Sequence, residues 1–267
     1  MDIKEFNVDT KNETQKQSEK QNHPWEYARA KVIKHLTKRF LSKTDKGYII
    51  DIGCGDIFFL NRFCQSYNGY TPVAVDSAFN EQIIASLKKN SYSKDILFCN
   101  DINQIELNGE TARVIFLMDV IEHIEEDVKF LDMVSHSDFV GDETIFVITV
   151  PAFNSLYCSH DKWLGHFRRY NNKMLVSHVK EAGLSPVKVG YFFTSLLIPR
   201  FFQKQLEKMK KEHKEVTGIG DWKGGKLISK LYETVLLIDF YFFNIFRTIG
   251  IKMPGLSVYA ICKKNKS

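Results

Sequence analysis

The sequence predicts an α/β fold with a doubly wound, mostly parallel sheet of seven strands. Two observations lead to this prediction. Short apolar segments alternate with helix-length amphipathic segments from residue 47 to residue 193, and a glycine-rich turn directly follows the first apolar segment. Alternating strands and helices form parallel βαβ units, because two parallel strands need a crossover connection between them. With 267 residues, 44% of them hydrophobic, the chain can build one such domain and an added element.

The chain begins with a polar segment, residues 1–21, which is rich in Lys, Glu, Gln, Asn and Thr. Such a composition predicts a disordered leader, because it offers too little apolar surface to form a core. Pro24 is a typical first helical residue, and apolar residues then recur at helical spacing. We therefore expect an N-terminal helix over residues 25–41, packed at the edge of the fold or over its ligand cleft.

The remaining elements follow from the periodicity of apolar residues. Strands are expected at 47–52, 71–76, 95–99, 112–118, 144–150, 185–193 and 257–262, and connecting helices at 57–67, 80–89, 124–136 and 172–182. The resulting organisation is a leader (1–21), a core (22–195), a helical insertion (196–255), and a last strand with a basic tail (256–267).

The insertion is rich in Phe and Tyr, and its apolar residues have helical spacing with lysine and arginine nearby. Its most apolar run, residues 234–246, is too short to span a membrane and contains Asp239. Three interpretations stay open for residues 196–250: a lid over the acceptor site, a homodimer interface, or a helix pair that lies on a membrane surface. The packing interpretations, lid or dimer, are favoured.

The five cysteines are scattered, and no CxxC pair occurs. This pattern argues against a disulfide framework and against a zinc site of paired cysteines. It predicts a cytoplasmic protein, with a peripheral position at the inner face of the membrane as the alternative. The net charge of +5 is mild and does not demand an anionic partner.

The glycine-rich turn reads Asp51-Ile52-Gly53-Cys54-Gly55. A dinucleotide-binding turn carries a third glycine where this chain has Phe58, and no GK[ST] sequence follows, as a triphosphate-binding loop would require. The turn therefore suits a nucleoside ligand without a pyrophosphate. Asp76, at the end of the second strand, is an acidic side chain that can accept hydrogen bonds from both ribose hydroxyls.

These motifs resemble those of the class I S-adenosylmethionine-dependent methyltransferases. Residues 51–55 resemble the family's first motif, D/E-x-G-x-G-x-G, although Ile57 replaces its last glycine. The resemblance implies S-adenosylmethionine as cofactor. It assigns the turn to the cofactor, Asp76 to its ribose and Asp101 to its adenine amino group. Residues 117–124, LMDVIEHI, resemble the segment that borders cofactor and acceptor, which adds Asp119 as a cofactor residue and His123 as its neighbour.

Most of the catalytic candidates come from a loop that is rich in histidine, acidic, basic and aromatic residues. Residues 157–170, YCSHDKWLGHFRRY, follow the fifth strand, and we call them the histidine loop. His160, His166 and His123 titrate near neutrality and are candidates for a general base. Side chains suited to contact the acceptor are Asp161, Arg168, Arg169 and Tyr170, although Arg168 and Tyr170 have the alternative role of bracing the loop. A metal site from Asp119, His123, His160 and Asp161 is not expected, because their spacing matches no ligand motif.

The histidine loop resembles that of a bacterial subgroup associated with the synthesis of saccharides and lipid-linked glycans. The predicted function is therefore methyl transfer from S-adenosylmethionine to a small-molecule or lipid-linked saccharide acceptor, most simply at oxygen. Nucleic acid is not an expected partner, because the chain lacks the [DN]PP[YF] segment and is only weakly basic. The alternatives are a noncatalytic scaffold that binds the cofactor and, less favoured, a nicotinamide-dependent oxidoreductase.

Overall fold

A computed structural model describes residues 23–90, 95–209, 222, 224–248, 250, 251 and 253–265 of the chain. The predicted disordered leader, residues 1–21, lies outside these residues. The described strands are β1 (Gly47–Ile52), β2 (Tyr70–Val75), β3 (Leu97–Cys99), β4 (Ala112–Met118), β5 (Ile145–Pro151), β6 (Leu184–Phe192) and β7 (Ser257–Lys264). The helices are α1 (Pro24–Thr37), α2 (Phe58–Cys64), α3 (Glu81–Asn90), α4 (Asp127–Ser135), α5 (Ser159–Trp163), α6 (Asn172–Glu181), α7 (Leu197–Met209) and α8 (Lys226–Thr248).

The strands form one sheet in the order β3-β2-β1-β4-β5-β7-β6. The first five strands are parallel to one another, and β7 runs antiparallel to both β5 and β6. Buried apolar residues cover both faces of the sheet and form two separate clusters. The predicted doubly wound, mostly parallel fold is confirmed. Its parallel strands end at one edge, which is where open α/β sheets bind their ligands.

Helix α1 is shorter than predicted. A capping box at His23 begins it, because the His23 side chain accepts a hydrogen bond from the Trp25 amide at 3.1 Å and the Glu26 carboxylate accepts one from the His23 amide at 3.0 Å. The helix ends at Thr37, four residues before the predicted end at residue 41. Leu41 is nevertheless buried, so its apolar side chain serves the core from the turn after the helix.

Two other boundaries differ from the sequence prediction. The helix expected at 124–136 is α4, which begins only at Asp127, and a separate 3-10 turn (Ile121–His123) lies before the predicted start. The histidine loop contains a short helix, α5, that periodicity did not predict, because five residues are too few to show a helical repeat.

The insertion packs against the N-terminal helix through one face of α8. Leu236 and Phe240 are buried there, and Phe240 contacts the ring of His35 at a centroid distance of 5.5 Å. Glu233 on the same face forms an ion pair with Lys31 of α1 at 2.5 Å. Asp239 caps the chain before α7, since it accepts hydrogen bonds from the Thr194 and Ser195 amides at 2.9 and 2.7 Å. Of the described helices, none has the length and apolar content needed to cross a membrane.

Candidate functional site

The predicted cofactor turn lies between the ends of β1 and β2. The amides of Gly53 and Cys54 donate hydrogen bonds to the Val75 carbonyl at 2.7 and 3.2 Å, which fixes the turn to the neighbouring strand. Gly53 has a φ of 72°, and a Cβ placed there would lie 2.7 Å from Cγ2 of Val120. Only glycine fits this position, because the backbone is left-handed and the space is filled.

Gly55 has the opposite surroundings. Its φ is 56°, and a Cβ built on it would meet no atom within 4 Å. The space beside Gly55 is therefore open, so a ligand can approach the backbone closely. We call this open space beside Gly55 the cradle.

Ile57, which replaces the last glycine of the family motif, also has a left-handed backbone. Its φ is 58° and its side chain is buried, and it precedes the first residue of α2. A β-branched residue is a rare outlier in this conformation. Residue 57 thus has the left-handed backbone that favours glycine although it is an isoleucine.

Two acidic residues stand at the ends of the next strands. Asp76 accepts hydrogen bonds from the Gly55 and Ala78 amides, each at 2.9 Å, so it belongs to the cofactor turn. Asp101 accepts from the Asn103 amide at 2.8 Å through Oδ1 and caps a short 3-10 helix, which leaves Oδ2 for a ligand. The Asp76 amide donates to the Cys99 carbonyl at 3.1 Å, and this bond holds the two strand ends together.

The side chains of Asp51 and Cys54 in the turn have pKa values above their usual range. Asp51 is almost fully buried, and its Oδ1 has no hydrogen-bond partner among the described residues. Burial raises the pKa of Asp51 to about 8, while the nearby Arg29 lowers it. Burial also raises the pKa of the Cys54 thiol well above its usual range, so this cysteine is not a nucleophile at neutral pH.

Asp119 follows β4, with a left-handed backbone at a φ of 59°. Its carboxylate forms an ion pair with Arg29 of α1, and Thr149 of β5 donates to it at 3.4 Å. Sequence reasoning missed Arg29, since nothing in the pattern of α1 indicates an ionic partner 90 residues away. The pairing of Arg29 with Asp119 places the N-terminal helix against this edge of the sheet.

Asp161 is the centre of a buried polar network in the histidine loop. It is fully buried and accepts from His166 Nδ1 at 3.0 Å, Arg169 Nε at 2.7 Å and an Arg200 guanidinium nitrogen at 3.1 Å. The Cys158 amide is a fourth donor, at 2.9 Å. Although burial alone raises the pKa of Asp161, these donors outweigh it and hold that pKa well below its usual range. Asp161 is therefore a charged anchor that orients its neighbours.

The network joins two of the predicted catalytic histidines. The rings of His123 and His166 meet edge to face at a centroid distance of 4.5 Å. Burial lowers the pKa of His123 to about 4, with a smaller contribution in the same direction from the nearby His166. His160 lies apart from this pair and stacks on Trp163 at 5.9 Å. Its pKa is lowered by burial, and its Nε2 has no partner within the described chain.

Glu122 is a functional candidate that sequence reasoning quoted within a motif but did not single out. It is fully buried, and apart from its own backbone amide neither carboxylate oxygen has a hydrogen-bond partner in the described part of the chain. Burial raises the pKa of Glu122 well above its usual range, and Asp119 adds to this effect. Glu122, His123 and His166 each offer a ligand atom, and these atoms lie within 4.8 Å of one another.

Arg168 and Tyr170 were expected to bind the acceptor. In the structure, both bind other groups of the protein instead. Arg168 forms an ion pair with Asp127 at 2.9 Å and donates to the Glu125 carbonyl at 2.6 Å. Tyr170 is fully buried and donates to Asp127 at 2.5 Å. These contacts match the alternative bracing role, in which both residues fasten the loop to the start of α4. Arg169 is buried and is likewise used internally, by Asp161.

Comparisons with known proteins agree with this geometry. A family described as "Methyltransferase domain" matches residues 25–189, more than half of the chain. No curated protein matches the sequence.

Many solved structures share the fold. A putative sarcosine dimethylglycine methyltransferase from Galdieria sulphuraria is 12% identical, with 90% of this chain and 84% of that chain covered and a TM-score of 0.52. A putative methyltransferase from Bacillus halodurans is 11% identical, with coverage of 88% and 99% and a TM-score of 0.51. The plantazolicin methyltransferase BamL, solved with a desmethyl analogue and SAH, is 14% identical, with coverage of 90% and 86% and a TM-score of 0.51.

The expected family is thus confirmed, and the oxidoreductase alternative is not supported. The chain belongs to the methyltransferase domain family, as an enzyme that uses S-adenosylmethionine.

Proposed function

We propose that the enzyme methylates an oxygen atom of a small-molecule or lipid-linked saccharide acceptor. The observation that carries this proposal is the contact between His166 Nδ1 and Asp161 at 3.0 Å, beside the turn of residues 121–123 that follows β4. A hydroxyl acceptor must lose a proton, and an imidazole oriented by a carboxylate is suited to take it. Val120, which directly precedes this turn, packs against Gly53, so the turn that carries His123 begins beside the cofactor turn.

The residues that would hold the cofactor follow from the open cradle. Asp76 uses one lone pair of each carboxylate oxygen for a backbone amide, which leaves a second lone pair on each for the ribose hydroxyls. Asp101 offers its free Oδ2 to the adenine amino group, and the backbone of Gly53 and Gly55 lines the cradle. Asp119, fixed by Arg29, borders the reacting end.

S-adenosylmethionine, when bound, supplies a methyl group on a positively charged sulfur, which is already a strong electrophile. The protein therefore has to position the acceptor, exclude water and manage one proton. His166 is the favoured proton acceptor, because Asp161 fixes its ring through Nδ1 and leaves Nε2 for the substrate. His160 and His123 are the other candidates. Their lowered pKa values keep both imidazoles neutral at pH 7, as a base must be.

The acceptor class is tested by following a labelled methyl group. The purified enzyme is incubated with cofactor that carries a deuterated methyl group and with lipid and water-soluble cell extracts. We expect mass spectrometry to find the label as a methyl ether in the lipid-linked or free saccharide fraction. Label found only in protein or nucleic acid, or on nitrogen, would contradict the proposal.

Single variants test the cofactor-binding residues and the proposed base separately, by cofactor binding and by turnover. Asp76→Ala should weaken binding of S-adenosylhomocysteine by about 1–3 kcal/mol, because it leaves the partners of a buried carboxylate unpaired. His166→Ala should bind S-adenosylhomocysteine as the parent enzyme does and lose turnover. Asp138→Asn, at an exposed position between α4 and β5, is the control for which neither property should change.

A further inference from the structure

The cluster formed by Glu122, His123 and His166 has features that the proposed reaction does not explain. Glu122 is a carboxylate with no exposed surface, and among the described residues its two oxygens have no hydrogen-bond partner other than its own amide. Burial of an unpaired carboxylate is costly, so native proteins pair such a group, bind it to a metal or keep it protonated. Nδ1 of His123 is likewise buried and has no hydrogen-bond partner in the part of the chain that the structure describes. Together with His166, these two residues place three potential metal-ligand atoms within 4.8 Å of one another.

We propose that Glu122, His123 and His166 bind a divalent transition-metal ion. Two imidazoles and one carboxylate are a common ligand set for zinc and for ferrous iron, and three protein ligands leave a coordination position open for a substrate. The ligand atoms lie within 4.8 Å of one another. Ligands bound at about 2.1 Å lie roughly 3–4 Å apart, so the three ligand atoms would have to move closer to one another by about 1 Å to bind an ion.

The surroundings of His166 support its role as a ligand. Nδ1 is bound to Asp161 at 3.0 Å, so Nε2 is the nitrogen that remains for a cation. A carboxylate that holds the second nitrogen of a metal-bound histidine is a recurrent arrangement, because it fixes the ring and increases its basicity. Asp161 is itself held by Arg169 and Arg200, so the orientation of His166 depends on a rigid network.

The chain also keeps the cluster together through its backbone. The Phe167 amide donates to the Glu122 carbonyl at 2.8 Å, which ties the histidine loop to the turn of residues 121–123. Glu122 and His123 are adjacent on this turn, and His166 approaches from the loop. The site thus depends on a contact between two segments that are more than 40 residues apart in sequence.

The role of the cation rests on the proposed function. An acceptor hydroxyl bound at the open position would have a lowered pKa, because the cation stabilises the negative oxygen. Its O–H bond then breaks with the proton released to water, and the electron pair stays on the oxygen next to the cation. With His166 as a ligand, the cation replaces the histidine as the group that activates the acceptor.

Metal binding is measured without any turnover. Full-length enzyme is treated with a chelator, dialysed, and titrated with Zn²⁺ by calorimetry and with Co²⁺ by visible absorption. We expect one ion per chain and a cobalt spectrum typical of nitrogen and oxygen ligands. Glu122→Gln, His123→Ala and His166→Ala should each weaken binding by at least tenfold, and Asp161→Asn by about 10–100-fold through the orientation of His166. His136→Ala, an exposed histidine at the end of α4, should bind like the parent.

The outcomes separate this proposal from the proposed function. Binding of S-adenosylhomocysteine, measured on the same samples, checks that each variant is folded and that the cofactor cradle is intact. Weak binding of Zn²⁺ that is equal in the parent and all three ligand variants would overturn the metal site and leave methyl transfer standing. Stoichiometric metal binding together with label found only on nitrogen or in protein would support the site and contradict O-methylation.

Discussion

The unusual backbone of the cofactor turn is concentrated in single residues. Gly53, Gly55 and Ile57 all have left-handed φ values within seven positions of Asp51, but only two of them are glycine. A left-handed conformation costs a residue with a Cβ about 1–2 kcal/mol. Ile57 bears this cost, and its buried side chain offsets it by packing in the core behind the turn.

This balance predicts an inverted order of stability at residue 57. Ile57→Ala and Ile57→Gly both lose the buried side chain, at a cost of about 2–5 kcal/mol. Glycine alone releases the backbone strain, so we expect Ile57→Gly to be more stable than Ile57→Ala by about 1 kcal/mol in urea unfolding. At Ile33, a buried helical residue of α1, the order should be the usual one, with alanine more stable than glycine. The same order at both positions would contradict the strain at Ile57.

Asp51 makes stability depend on pH. Its pKa is raised to about 8 in the folded protein, above its value in the unfolded chain, so the folded state holds its proton more tightly. The stability associated with this proton is complete at pH values below about 4 and is lost as the pH rises toward 8. Asp51→Asn removes the titration. The gain in stability of Asp51→Asn over the parent, measured by urea unfolding, should therefore be larger at pH 8 than at pH 5.5, and an equal difference at both pH values would be inconsistent with the shifted pKa.

At the scale of elements, the sheet was predictable because each strand signals itself locally. The apolar segments around Ile50, Val73, Ile115 and Ile148 are short and continuous, and each ends at a polar or glycine-containing turn. Helix ends were less predictable, because they depend on capping contacts. Periodicity extends the first helix to residue 41, whereas the structure ends it at Thr37 and uses Leu41 in the core without a helical backbone.

The histidine loop shows what local patterns cannot convey. Its sequence indicated polar chemistry, but the roles of its residues depend on long-range contacts. Asp161 accepts from Arg200 of α7, and Tyr170 donates to Asp127 of α4, and neither partner is near in sequence. The partner of Arg168 is also Asp127. The residues predicted from their type to bind the acceptor therefore have their hydrogen-bonding groups occupied by other protein groups. Glu122, whose carboxylate has no side-chain partner among the described residues, carries no sequence signal of this kind.

For the whole molecule, the insertion leaves a large apolar surface outside the core. One face of α8 packs on α1, while the other exposes Leu231 at 64% and Ile238 at 63%, among others. Helix α7 adds Ile198, Phe202 and Leu206, each more than half exposed. The same helix reaches the histidine loop, since Arg200 of α7 donates to Asp161 at 3.1 Å. The apolar surface is thus joined to the loop that holds the candidate catalytic residues.

We infer that this surface lies on a membrane, where it would meet a lipid-linked acceptor. Exposed apolar faces with lysines beside them, here Lys226 and Lys230, suit an anionic lipid surface. We expect the enzyme to float with vesicles of phosphatidylglycerol and phosphatidylcholine. The double variant Leu231→Ser/Ile238→Ser should lower the bound fraction several-fold, because each serine removes apolar side-chain area that would be buried in the lipid. Leu97→Ser, on the edge strand β3 and 42% exposed, is the matched control and should float like the parent. A parent enzyme that stays at the bottom of the gradient would contradict this inference. If the parent also sediments as a dimer and the double variant as a monomer, the surface is instead an interface with a second copy of the chain.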